Sequence, residues 1–188
     1  RAPRIPPFAE DEGDPEVIEM LNALPAGADG AVGEYNIFRT LARHPDLFRS
    51  WLGFGGYLLV GGTLPPRDRE LMILRTAVRC RSSYEWGQHV RISLRMGIER
   101  ETIDRVLDGP GAAGWADHES TLMRAVDELH DDARISDSTW DALADHYDER
   151  QLIEVAMLIG QYHMVAFALN SLGVELDEGL EPLPDARG

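Results

Sequence analysis

The chain contains no lysine: all 18 of its basic residues are arginine, against 33 Asp plus Glu, giving a formal net charge of −15 over 188 residues. Without a lysine there is no Schiff base, which excludes pyridoxal-phosphate and lysine-type aldolase chemistry. The Walker A lysine of a P-loop nucleotide site is missing as well. Cysteine is almost as scarce. Cys80 stands alone, so an internal disulfide, a Cys-x-x-Cys redox pair and a cysteine-rich zinc site are excluded. The shortage of positive charge argues against nucleic acid and anionic membrane as partners, since both demand a concentrated basic surface. Apolar runs are short too. The longest, Val155 to Leu169, has 15 residues and includes Gln161 and His163, too short and too polar a run to span a bilayer. No charged-then-apolar leader pattern opens the sequence. The expectation is a soluble, cytoplasmic protein.

What remains is globular in balance, with 44% hydrophobic and 27% charged residues. Residues 1–14 and 175–188 are Pro-rich and acidic, the character of an extended N-terminal arm and an acidic C-terminal tail, either solvated or wrapped on a neighbouring subunit. Between them, residues 15–174 read as one all-α domain. Asp14-Pro15 is an N-cap followed by proline at the first helical position, opening a helix that ends before Pro25. Further helices are expected from Gly33 to Arg43, Pro45 to Leu59, Pro65 to Arg81, Ser82 to Gly97, Glu99 to Leu107, Asp117 to Asp132, Ser136 to Tyr147 and Asp148 to Gly173. In the third of these nine, Gly53, Gly55 and Gly56 interleave with Trp51, Phe54 and Tyr57. Glycines there cost about 1 kcal/mol each against alanine, so close packing or a break in the helix is expected. A faint internal echo suggests a degenerate helical repeat: Arg69-Glu70-Leu71 to Met96-Gly97-Ile98-Glu99, then Arg150-Gln151-Leu152 to Leu172-Gly173-Val174-Glu175.

Ionisable residues on apolar faces carry the functional reading. At about 100° per residue, Glu70 shares a stripe with Ile73, Leu74 and Ala77. On the next helix Glu85 and His89 lie four apart and continue onto Ile92 and Met96. The three groups point into the space between consecutive helices, where an unpaired charge is costly and pKa values shift. Two readings compete. One is a plain buried network, with Glu70 accepting from Arg67 or Arg75 and Glu85 bonding His89; the other is an acid–base site. Glu-x-x-x-His supplies only two ligands, so no metal is assigned. His163 reads as a core histidine, with a substrate contact as the minor alternative. His118, His130 and His146 read as solvated, Cys80 as a small buried hydrophobe, and Ser82 and Ser83 as caps.

Arg67-Asp68-Arg69-Glu70-Leu71, then Tyr84-Glu85-Trp86-Gly87-Gln88-His89, then Gly97 resemble the core of the carboxymuconolactone decarboxylase family. A looser likeness extends to Ile159-Gly160-Gln161-Tyr162-His163-Met164. The resemblance implies the all-α fold of the alkyl hydroperoxidase D-type proteins. In that peroxidase branch a glutamate is followed by two cysteines and a histidine, positions that fall here on Glu70, Ser82, Glu85 and His89. Both redox cysteines are absent, which disfavours an alkyl hydroperoxidase and leaves the decarboxylase-like branch. The resemblance therefore implies a cofactor-free lyase, or a related isomerase, acting on a small carboxylated or lactone substrate. Glu70, Glu85 and His89 would be its catalytic residues. Trp51, Phe54, Tyr57 and Trp86 would wall the pocket, and Arg67, Arg79 or Arg81 would meet an anionic substrate. It also implies a homo-oligomer, whether dimer, trimer or hexamer. The contrasting expectation is a non-catalytic helical oligomer with a vestigial pocket.

Overall fold

Prolines and small polar caps set the helix starts. Pro15, Pro45 and Pro66 stand in the first turns of their helices, where a missing N–H costs nothing. Ser82, Ser136 and Asp148 accept backbone N–H bonds from Glu85, Thr139 and Gln151, and Gln151 returns a bond to the Asp148 N–H. The computed structural model describes residues 2–9, 12, 15–24, 26–27 and 30–185. The expected cap at Asp14 and stop at Pro25 lie outside the described residues. Among those described, the helices are α1 (Pro15–Asn22), α2 (Asn36–Leu41), α3 (Pro45–Gly56), α4 (Pro66–Cys80), α5 (Ser83–Arg95), α6 (Arg100–Asp108), α7 (Asp117–Asp132), α8 (Asp137–Ala144) and α9 (Glu149–Leu172). The fold is all-α. A single antiparallel ladder, β1 (Ala26–Gly27) with β2 (Gly30–Ala31), is too short to show alternation.

Two expected helices differ. The one from Gly33 to Arg43 is a 3₁₀ turn over Val32–Glu34 followed by α2. The one from Pro45 to Leu59 is α-helical to Gly56 and then loosens into a π-turn over Tyr57–Gly61. Its glycines have separate causes. A Cβ at Gly55 would lie 3.0 Å from Gln161 Nε2 on α9, whereas one at Gly53 or Gly56 would meet nothing. Close packing explains the first, and the π-turn follows the last. The internal echo does not repeat the architecture: its first bracket spans α4, the left-handed turn at Arg81 and α5, and its second lies on the single uninterrupted α9.

Helix α4 is the axis of the bundle, with Leu71, Met72, Ile73 and Leu74 wholly buried. An arginine ladder holds α7 beside it: Arg67 to Glu119, Arg75 to Asp127 and Arg79 to Asp131 all join residues 52 apart. A constant offset means the two helices run parallel. Arg75 grips Asp127 with two bonds of 2.7 and 2.8 Å while donating to the Val106 carbonyl at 2.9 Å. That is bidentate recognition, which lysine cannot make. On another side α9 also runs parallel to α4, tied by Glu154 to the Thr63 and Leu64 N–H groups and by Asn170 to the Cys80 carbonyl. Helix α5 returns antiparallel. Among the described residues, α9 is the one helix that by length and composition reaches a membrane span, but 56% of its most apolar window is buried within this bundle.

The described parts of both terminal segments lie on the body. Arg4 N–H bonds the Leu172 carbonyl at 2.8 Å, and Arg43 reaches the Pro6 carbonyl at 2.7 Å while stacking on Phe8. In the tail, Asp177 takes bonds from Tyr84 Oη, Gln88 Nε2 and the Asn36 N–H. Gly87 is where the tail crosses α5: a Cβ there would sit 2.7 Å from the Glu181 carbonyl.

Candidate active site

Because α4 and α5 are antiparallel, Glu70 faces His89. The Glu70 carboxylate is fully buried; its Oε2 lies 2.7 Å from His89 Nδ1, and its Oε1 accepts from Arg69 Nε at 3.0 Å. Burial alone would raise its pKa, but His89 and Arg69 outweigh that and hold the carboxyl below its ordinary range. Fixing Nδ1 against a carboxylate sets the orientation of the imidazole and leaves Nε2 for other work. The Tyr162 ring from α9 stands edge-on to His89, centroids 5.1 Å apart at 89°. Its hydroxyl is driven well above the usual range by burial and then by Glu70 and Glu85.

Glu85, one turn before His89, is in a different state. It is buried, and neither carboxyl oxygen has a hydrogen-bond partner among the described residues. Burial pushes its pKa well above the ordinary carboxylate range, which favours the protonated form. The indole N–H of the adjacent, wholly buried Trp86 is also unpaired. Buried groups left unsatisfied in this way cost stability, about 1–3 kcal/mol each.

The structure thus brings Glu70, Glu85 and His89 to one wall between α4 and α5, adds Tyr162 from α9, and replaces the expected Arg67 or Arg75 at Glu70 with Arg69. The other residues named from the sequence fall elsewhere. Trp51 lines an apolar cavity of about 400 Å³ bounded by α2, α3, the C-terminal half of α9 and Ile5. Phe54 and Tyr57 line a second, of about 280 Å³, with Arg150 and Met157. Neither cavity is lined by the three acid–base groups. Trp86 is core. Arg67 is paired with Glu119 and Glu99, Arg79 with Asp131 and Asp127, and Arg81 is an exposed left-handed residue ending α4.

His163, Cys80 and His130, given three unrelated readings above, meet. Cys80 Sγ lies 4.0 Å from His130 Nδ1, which lies 3.0 Å from His163 Nε2. Burial, then Glu85, pushes the Cys80 thiol up to about 12, while burial, then Arg79 and His163, lowers His130. His118 and His146 are likewise brought together, stacked at 4.2 Å and 8° beside Asp68, which accepts from Tyr147 Oη at 2.7 Å.

The carboxymuconolactone decarboxylase family model matches residues 45–128, the segment from α3 through α7 that carries Glu70, Glu85 and His89. Over this segment the chain is similar to that family. Its fold is similar to a peroxidase-related protein with an alkyl hydroperoxidase D core from Ralstonia eutropha JMP134, at 16% identity and TM-score 0.79 over 93% of each chain. It is similar to a peroxidase-related protein from Silicibacter sp. TM1040, at 12% identity and TM-score 0.77, covering 100% of this chain and 97% of that one. The debrominase Bmp8 is also similar, at 14% identity and TM-score 0.76 over 93% of this chain and 92% of its own. No curated protein matches. Of the site residues that sequence reasoning did not assign, Arg69 stands inside the family motif, and Tyr162 within the α9 segment already likened to the family. Both had a signal; neither had a role until the helices were packed.

Proposed function

We propose that this chain is a carboxymuconolactone decarboxylase-like acid–base lyase whose own side chains move the proton, acting on a small carboxylated or lactone substrate. The observation that carries the reading is Glu85, a buried carboxyl whose pKa burial raises and whose oxygens have no hydrogen-bond partner among the described residues, one helical turn from an imidazole that Glu70 has already oriented. A buried acid whose pKa is raised is suited to donating a proton. In a decarboxylation the bond between the ring carbon and its carboxylate breaks and CO2 leaves. The electron pair moves into the conjugated lactone, and a proton is then added to carbon. Glu85 holds that proton, His89 passes it on, and Glu70 with Arg69 keeps the imidazole in place. Thiol peroxide chemistry fits less well: Ser82 and Glu85 stand at the cysteine positions, and the one thiol, Cys80, is held protonated.

The test is CO2 release from a panel of carboxylated lactones. On a responsive substrate, Glu85→Gln and His89→Ala should each lower kcat by about 10²-fold or more, with unchanged circular dichroism. The wild type should lose activity on the alkaline side as Glu85 ionises. Folded variants that both retain full activity would overturn the assignment. We also propose that the working form is a homo-oligomer assembled through α9.

A further inference from the structure

Helices α4 and α7 end side by side where α9 passes them. Cys80 closes α4, His130 lies in the last turn of α7, and His163 projects from α9. The ladder bond from Arg79 to Asp131 holds α4 and α7 immediately beside this point, and Asn170 Nδ2 holds α9 by donating to the Cys80 carbonyl at 2.8 Å. The three side chains are half-buried, and their ligand atoms all fall within 4.8 Å of one another.

The tautomers are informative. His163 Nδ1 lies 2.8 Å from the Ile159 carbonyl, an acceptor only, so that nitrogen carries the hydrogen and Nε2 carries the lone pair. That lone pair is aimed at His130 Nδ1, 3.0 Å away, and Cys80 Sγ approaches the same Nδ1 at 4.0 Å. One hydrogen on His130 Nδ1 can serve His163, but it leaves sulfur facing a nitrogen with nothing further to offer. A cation serves all three at once. Four-coordinate zinc, with bonds of about 2.0–2.1 Å to nitrogen and about 2.3 Å to sulfur, sets two nitrogens about 3.3 Å apart and nitrogen and sulfur about 3.6 Å apart. The observed separations of 3.0 and 4.0 Å differ from these by a few tenths of an ångström each way. The His163–Ile159 bond is the outer contact that metal-binding histidines ordinarily make.

We propose that Cys80, His130 and His163 form a transition-metal site of the zinc class, with three protein ligands and the fourth position open to water. One thiolate and two imidazoles suit a borderline-soft divalent ion and not the hard, oxygen-seeking magnesium or calcium. The site is independent of the acid–base reading: none of its ligands belongs to that wall.

The experiment is cobalt titration of the full chain after chelator treatment, read by visible absorption. The expected result is one equivalent bound, with ligand-field bands of tetrahedral cobalt and a thiolate-to-cobalt charge-transfer band, all removed by stoichiometric zinc. Cys80→Ser should abolish the charge-transfer band, and His163→Ala should weaken uptake at least tenfold. Zinc should raise the melting temperature of the wild type and leave both variants unmoved, because only the folded wild type offers the site. Should His163→Ala not fold, His130→Gln gives the same reading. No stoichiometric uptake, uptake undiminished in the variants, or binding of copper(I) with refusal of zinc and cobalt would each overturn the proposal.

Discussion

A carboxyl group with both oxygens buried and unpartnered among the described residues has to choose between ionising at high cost and keeping its proton, and burial shifts Glu85 toward keeping it. This has a thermodynamic sign. Unfolding frees the side chain to its ordinary pKa of 4.5, so above that pH the unfolded state binds one proton fewer than the folded state. Stability from this residue is therefore full at acid pH and falls as pH rises, until Glu85 ionises in the folded chain. Glu70 works in the opposite sense: held below its ordinary range, it contributes stability that is lost as pH falls through its folded pKa. Urea denaturation from pH 5 upward should show the stability of wild type relative to Glu85→Gln declining by about 1.4 kcal/mol per pH unit, the slope of one proton. Parallel curves would mean that Glu85 is solvated or paired. The site was half legible in the sequence. The four-residue spacing of Glu85 and His89, and their shared apolar stripe, gave the inward direction. The state of Glu85 was not legible, because an absent partner is a property of everything packed around it, including Tyr162 from the far end of the chain.

At the scale of elements, α5 is fixed on one face by α4 and on the other by the C-terminal tail. Asp177 collects Tyr84, Gln88 and Asn36, and Arg100 binds Glu181 at 2.7 Å. The crossing at Gly87 leaves no room for a methyl group. Gly87→Ala in a helix would ordinarily stabilise by about 1 kcal/mol, so a loss would show that contact with the tail outweighs propensity. We expect a net loss of about 1–3 kcal/mol in urea, the range for overpacking, with faster hydrogen exchange over residues 175–183. A stabilised variant with unaltered exchange would place the tail off α5. The helices themselves were legible, since proline, serine and aspartate mark their starts and hydrophobic period marks their faces. The docking of the tail was not. Asp177 sits in a run of acidic residues, and nothing local separates the carboxylate that meets Tyr84 from those that meet water.

For the whole molecule, the outstanding feature is that the most apolar helix is covered on one side only. Along α9 the uncovered residues Ile153, Met157, Gly160, Met164 and Phe167 follow spacings of four, three, four and three, with Ile153 64% and Phe167 57% exposed. That is the period of a helix–helix seam, not of a solvated face, and Gly160 at its centre lets a second backbone approach. Val60, in the π-turn after α3, is also apolar and 82% exposed. In the homo-oligomer proposed above, the partner would be the same helix of another copy, since a two-fold axis through a seam presents identical stripes to each other. Opposing this is charge: every copy carries −15, so Coulomb repulsion between subunits should be relieved as salt shortens the Debye length. Sedimentation velocity should accordingly show an oligomer that tightens with added salt, and Phe167→Asp, which places a charge on the seam, should give a folded species of lower mass at the same concentration. A wild-type chain that stays monomeric across concentration and salt would show that the stripe is not an interface, and its exposure would then need another cause.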